Sequence, residues 1–236
     1  MNATIAWITT RGLLGRRRFL LLFPLPLILI GLAWLGSSLA RPDEFATPVL
    51  VGLGVAVVLP VISLIVGTGV LGSEIDDGTV VHILTKPLPR WKIVLTKLAV
   101  AFAVTTVAVA VPMFVAGTIT DGTRLGLGLA AATTLGALAY CALFLALSMI
   151  TRRPVLLGLL YVLIWEGLLG NFVSGTRVLS VQQYVVSLAA RWADTTLLTG
   201  TVKIGVALGM SAAMIVAGAW VTINRLRSFS IAGETS

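Results

Sequence analysis

The sequence predicts an all-α integral membrane protein with six transmembrane helices. Three observations carry that prediction. Charged residues make up 11% of the 236-residue chain and hydrophobic residues 58%, whereas a soluble domain carries about 25% charged residues. The mean hydropathy is +1.04. The charges also lie between long apolar runs rather than within them. This composition excludes an ordinary soluble enzyme and a disordered chain. The lone cysteine, Cys141, excludes an intrachain disulfide, and the lone histidine, His82, excludes a two-histidine zinc site.

A bilayer core of about 30 Å takes roughly 20 apolar residues in a helix. Phe19–Ala40, Thr47–Ser73, Leu98–Thr120, Leu125–Thr151 and Ile204–Asn224 carry no charge, and Pro154–Gly175 carries only Glu166. Spans are therefore expected at about 19–40, 48–72, 95–119, 125–150, 154–173 and 202–224, in a single transmembrane domain. The first run, of about 22 residues, is longer than the core of a cleaved signal peptide. Twelve of the 17 lysines and arginines fall on the side that holds both termini, which places both termini in the cytoplasm. The net charge of +8 is thus a topology signal, and nucleic acid is not an expected partner. Thirteen arginines against four lysines, with abundant Ala, Val and Gly, suggest a bacterial cell membrane.

The N-terminal segment 1–18 mixes Ile5, Trp7, Ile8, Leu13 and Leu14 with Arg11 and Arg16-Arg17-Arg18. Tryptophan beside arginines suits a helix lying at the inner membrane surface. The cytoplasmic segment 73–92 is the most polar of the chain. Glu74, Asp76 and Asp77 open it, where acids compensate the positive end of a helix dipole. Val80, Ile83 and Leu84 then share one helical face, and Lys86 suits the C-terminal end. Pro87 stops the helix, and Pro89 is placed to start the next one. On the outer side, segment 174–200 holds Val181, Val185, Leu188 and Trp192 at helical spacing, with Gln182, Gln183 and Arg191 on other faces. That pattern predicts an amphipathic outer helix, either re-entrant or flat on the membrane.

The run Glu74, Asp77-Gly78-Thr79, Ile83-Leu84-Thr85-Lys86-Pro87-Leu88-Pro89-Arg90, then Lys97, resembles the cytoplasmic segment of ABC-2 type transporter permeases. The resemblance covers about 25 residues closely, and the positions of the spans and long loops resemble the family over the whole chain. It implies that Glu74, Asp76, Asp77, Gly78, Thr79, Val80, Ile83, Leu84, Lys86, Pro87 and Arg90 form a coupling helix that docks on a separate ATPase subunit. It implies an N-terminal elbow helix and outer or re-entrant helices between spans 5 and 6. It also implies a pair of permeases with two ATPase copies, which bind the ATP and Mg. The sequence has no Gly-Lys dipeptide, hence no P-loop, and no G-x-S-x-G or H-E-x-x-H. No enzyme activity or cofactor is expected in this chain. Membrane lipid is an expected partner, and the cargo fits an amphiphilic drug, antibiotic or lipid. The competing reading is an ATP-independent secondary transporter or channel-like protein, which would call for more charges within the spans.

Glu166 is the one acid expected inside a span, roughly 18 Å beyond Pro154. Burying a carboxylate in lipid is costly, so it needs a reason. Two roles are open to it: a contact or gate on the translocation pathway, or a structural acid paired with Arg177 or bonded to backbone.

Overall fold

The computed structural model describes residues 22–76, 89–151, 153–169 and 179–232, and every regular element among them is helical. The expected elbow helix 1–18, the coupling residues 77–88 and Arg177 lie outside the described residues.

Helix α1 is Pro24–Leu39, and its first residue is a proline whose missing N–H costs nothing there. A short turn at Ala40 and Arg41 reverses the chain into α2. This helix is a continuous rod of three stretches: Pro42–Ala46, the π-helical Thr47–Val58, and Leu59–Asp76. Asp43 and Glu44 in its first turn compensate the dipole. Glu74 and Asp76 lie in its last turn. They therefore end α2 rather than open a separate helix. No helix starts at Glu74 or Asp76, because α2 runs about one turn further than its apolar stretch.

Helix α3 is Arg90–Asp121, with Pro89 as its N-cap residue. Helix α4 is Thr123–Ile150. A single residue, Gly122, separates them at φ +86, a conformation open to glycine and strained for other residues. So abrupt a reversal forces α3 and α4 into close contact, and Gly117 of α3 meets the backbone of Gly126 of α4. Helix α5 comprises Pro154–Leu160 and the π-helical Tyr161–Leu169. Helices α6 (Val181–Ala193) and α7 (Ile204–Ala232) complete the described fold.

Four helical stretches are long and apolar enough to cross a membrane: Pro42–Val70, Arg90–Asp121, Thr123–Ile150 and Ile204–Leu226. Helices α1 and α5 are equally apolar but shorter, and each borders residues outside the described set. Helix α4 is the centre of the bundle. Seventeen of its 28 residues are buried, and it packs against α2, α3, α6 and α7. Its buried face is largely Gly, Ala and Thr. Small residues let helix backbones approach closely, which is how helices associate where lipid supplies no hydrophobic drive.

Those small residues position α6. A side chain at Gly136 would strike Val185, and one at Gly128 would strike the backbone of Ala193. The two contacts are eight residues apart on both helices and run in opposite senses. Helix α6 therefore lies antiparallel along α4 for at least about 12 Å. It is not laid flat across the end of the bundle. Nine of its 13 residues are buried, including Val181, Val185 and Leu188, while Trp192 is exposed.

Replacing Gly128 by valine should wedge α6 from α4, because the new Cβ would stand about 2.8 Å from the Ala193 backbone nitrogen. The expected loss is about 1–3 kcal/mol, read as a lower unfolding temperature in detergent. Gly31, with open space around it, is the control position: alanine there should leave the unfolding temperature nearly unchanged.

Candidate functional site: a buried carboxylate at the inner end of α6

Glu166 lies in the π-helical turn of α5 and is buried. In a π-helix, residues five apart come together along the axis, and Tyr161 stands five before Glu166. The Tyr161 hydroxyl donates to Glu166 Oε1 at 3.0 Å. The other donors come from across the bundle. The Val181 N–H donates to Oε1 at 3.0 Å, and the Gln182 N–H to Oε2 at 3.1 Å. The Ser180 hydroxyl donates to Oε2 at 2.7 Å. Each carboxylate oxygen thus accepts two hydrogen bonds, which matches the capacity of an ionised carboxylate.

The two backbone donors are the first two residues of α6, whose N–H groups have no partner within the helix. Ser180 is the N-cap residue, and its oxygen also accepts from the Gln183 N–H at 3.3 Å. One helix therefore supplies the anion that satisfies the exposed amides and dipole of another. An aromatic wall closes one side: Tyr140 stacks on Phe144 at 5.7 Å, and Phe144 meets Tyr161 edge-on at 6.5 Å.

The opposite end of α6 is held by an exposed pair, Arg124 and Asp194, 3.2 Å apart, worth about 0–1 kcal/mol. Beyond Asp194 the chain turns back beside α6. The Val202 N–H donates to Ser187 Oγ at 3.1 Å, and Thr201 Oγ1 donates to Gln183 Oε1 at 2.9 Å. Residues 181–202 thus form a hairpin whose turn, at Asp194, sits at the Gly122 end of the bundle and whose α6 start lies deeper along α4. Val185 lies beside Gly136, 14 residues or roughly 21 Å along α4 from that end.

A second buried charge joins α2 and α3. Lys97 is almost fully buried, and its ammonium donates to the Val70 carbonyl at 3.0 Å. Sequence reasoning used Lys97 only as a topology charge and as part of a motif. Arg90 opens α3, and its Nη1 atom is buried without a hydrogen-bond partner among the described residues. Of the expected coupling residues, Glu74 and Asp76 fall at the end of α2 and Arg90 at the start of α3. Asp77, Gly78, Thr79, Val80, Ile83, Leu84, Lys86 and Pro87 lie outside the described residues. Tyr161 was missed at the sequence level, and Ser180 was given no role there. Ser180 had a signal, since Ser180-x-x-Gln183 before an apolar run is a helix-start pattern.

The bundle is that of a helical integral membrane protein whose few buried charges join helices to one another. Residues 36–222, about four fifths of the chain, match the family model of the ABC-2 family transporter proteins. The chain belongs to that family, whose members are the membrane-spanning transport components of ABC transporters. No curated protein matches it.

Replacing Glu166 by glutamine should lower stability markedly. The amide nitrogen would face two of the four donors, and each buried donor left unsatisfied costs about 1–3 kcal/mol. Tyr161→Phe removes one donor and should cost about 1 kcal/mol. Thermal unfolding of the purified variants should rank wild type above Tyr161→Phe above Glu166→Gln. Equal melting of all three would remove the capping role.

Proposed function

We propose that this chain is the permease subunit of an ATP-driven ABC-2 exporter in a bacterial cell membrane. In this reading it spans the membrane six times, with α1 and α5 among the spans, and both termini face the cytoplasm. A second copy pairs with it, and two copies of a separate ATPase bind ATP and Mg and drive the cycle. The observation that carries the reading is the family match over 36–222 in a chain with no P-loop of its own. ATP hydrolysis then falls to a partner.

The segment 73–92 is the natural transmitter in this scheme. It joins α2 to α3, the two helices that Lys97 ties together near their ends. Motion of a docked ATPase would therefore reach both helices as a unit. The translocation pathway lies between the paired permeases, near spans 2 and 5. The leucine-rich outer face of α5, with Leu156, Leu163 and Leu168 exposed, is available to border it. Glu166 acts on this pathway by holding the inserted α6 hairpin in place. The hairpin has its turn at the outer face and caps the route of an amphiphilic drug, antibiotic or lipid. An ATP-independent secondary transporter is disfavoured, because Glu166 is saturated by internal donors and offers a coupling ion no free oxygen.

Copurification with a P-loop ATPase, and ATP-dependent transport after joint reconstitution, test the core of the reading. Replacing Glu74, Asp76 and Asp77 together by alanine should uncouple or dissociate the ATPase while the permease still inserts. Undiminished copurification and substrate-stimulated hydrolysis would refute the docking role. Orientation is tested separately. A cysteine at Thr123 should react with an impermeant thiol reagent from outside intact cells, and one at Thr85 should not. The native Cys141 is buried and should stay silent.

A further inference from the structure

A groove of about 670 Å³ runs between α1 and α3 on the outside of the bundle. Every lining side chain is apolar. Phe23, Leu27 and Ile30 of α1 face Ala103, Val107 and Val111 of α3. The groove exists because α3 presents only small or β-branched side chains there, set back from the larger ones of α1. Its lining on α3 runs from Ala99 to Pro112, about 20 Å of helix. One leaflet of the bilayer core is about 15 Å deep, half of about 30 Å, so the groove reaches past one leaflet, and its part around Ala99 and Ala103 lies in the leaflet that meets the start of α3. The groove is open sideways, since Leu27 is 64% and Val107 66% exposed. An occupant can therefore enter from the bilayer.

The exposed stripe of α3 continues past the groove toward the helix start. Val111, Val107 and Ala103 lead through Ala99 to Leu95 and Trp91 in steps of four residues. Lys92 stands beside Trp91, with its ammonium 5.5 Å from the indole centroid. Tryptophan marks the headgroup level of a membrane, and an adjacent lysine there attracts anionic lipid phosphate. We propose that this groove holds one acyl chain of an anionic phospholipid, with its phosphate at Lys92 and Trp91, in the leaflet that meets the start of α3. The site depends on the chain being a membrane protein and not on any transport reaction. A second copy of the chain would fill the apolar groove equally well but would leave the Lys92 charge unanswered. The charge favours the lipid.

The full chain, purified with its partner subunit where one copurifies, is stripped of lipid in detergent. It is then supplied with phosphatidylglycerol or phosphatidylcholine of the same acyl chains. Native mass spectrometry counts the retained lipid. Wild type should retain one phosphatidylglycerol per chain, with about fivefold preference over phosphatidylcholine. Lys92→Ala should abolish the preference while keeping some retention of both. Ala103→Trp, at a position already exposed, should fill the near part of the groove and abolish retention of both. Ala99→Phe should do the same if the tryptophan variant does not fold. Equal retention of the two lipids by wild type would overturn the proposal, as would unchanged retention by a folded groove-filling variant. A cysteine at Val107 that cross-links two copies in the membrane would also overturn it, by giving the groove to the second copy.

Discussion

A helix that begins inside a bundle has a problem that a surface helix does not. Its first N–H groups have no partner in the helix and no bulk water to turn to. Helix α6 begins in this way, beside α5 and about halfway along α4, and Glu166 is the answer to the problem. The carboxylate accepts from the Val181 and Gln182 amides and from the Ser180 and Tyr161 hydroxyls. Burying that charge is tolerable only because all four contacts are donors. Burying the helix start is tolerable only because the charge is there. Neither partner is stable at this depth alone, so the position of α6 and the burial of Glu166 are a single fact about the fold.

The rest of the bundle is shaped to admit that arrangement. The π-helical turn of α5 brings Tyr161 onto the face of Glu166. The glycines of α4 remove the side chains that would keep α6 away, at Gly128 and Gly136. Serine and threonine hydroxyls along α2, α3 and α4 bond back to carbonyls in their own helices, as Ser63, Thr68, Thr120 and Thr133 do. These hydroxyls are thus satisfied locally, as a membrane interior favours. What packs the helices together is shape, and what fixes α6 is charge.

Lys97 applies the same economy at the other end of the bundle. A lysine buried between α2 and α3 is affordable because its ammonium reaches the Val70 carbonyl. Its place near the ends of both helices makes it a tie between the two elements that flank segment 73–92.

The sequence by itself determined the membrane character, the helical class and the family-like segment around Glu74–Arg90. These depend on composition and local order, which need no tertiary information. Charge-free runs of span length are legible because lipid excludes charge from any single helix, whatever its neighbours. Glu166 was legible as a residue needing a reason, since a lone acid in an apolar run is conspicuous. Bonding to backbone was one of the roles open to it, but which backbone was not legible. The donors at Ser180, Val181 and Gln182 are 14 to 16 residues away in sequence, and backbone N–H groups leave no compositional trace. Lys97 read as one more basic residue near a membrane surface, because burial is a property of the neighbouring helix. The choice between a flat and an inserted α6 also belonged to the tertiary structure. An amphipathic stripe reports that one face is buried, but only the glycines of α4 say against what.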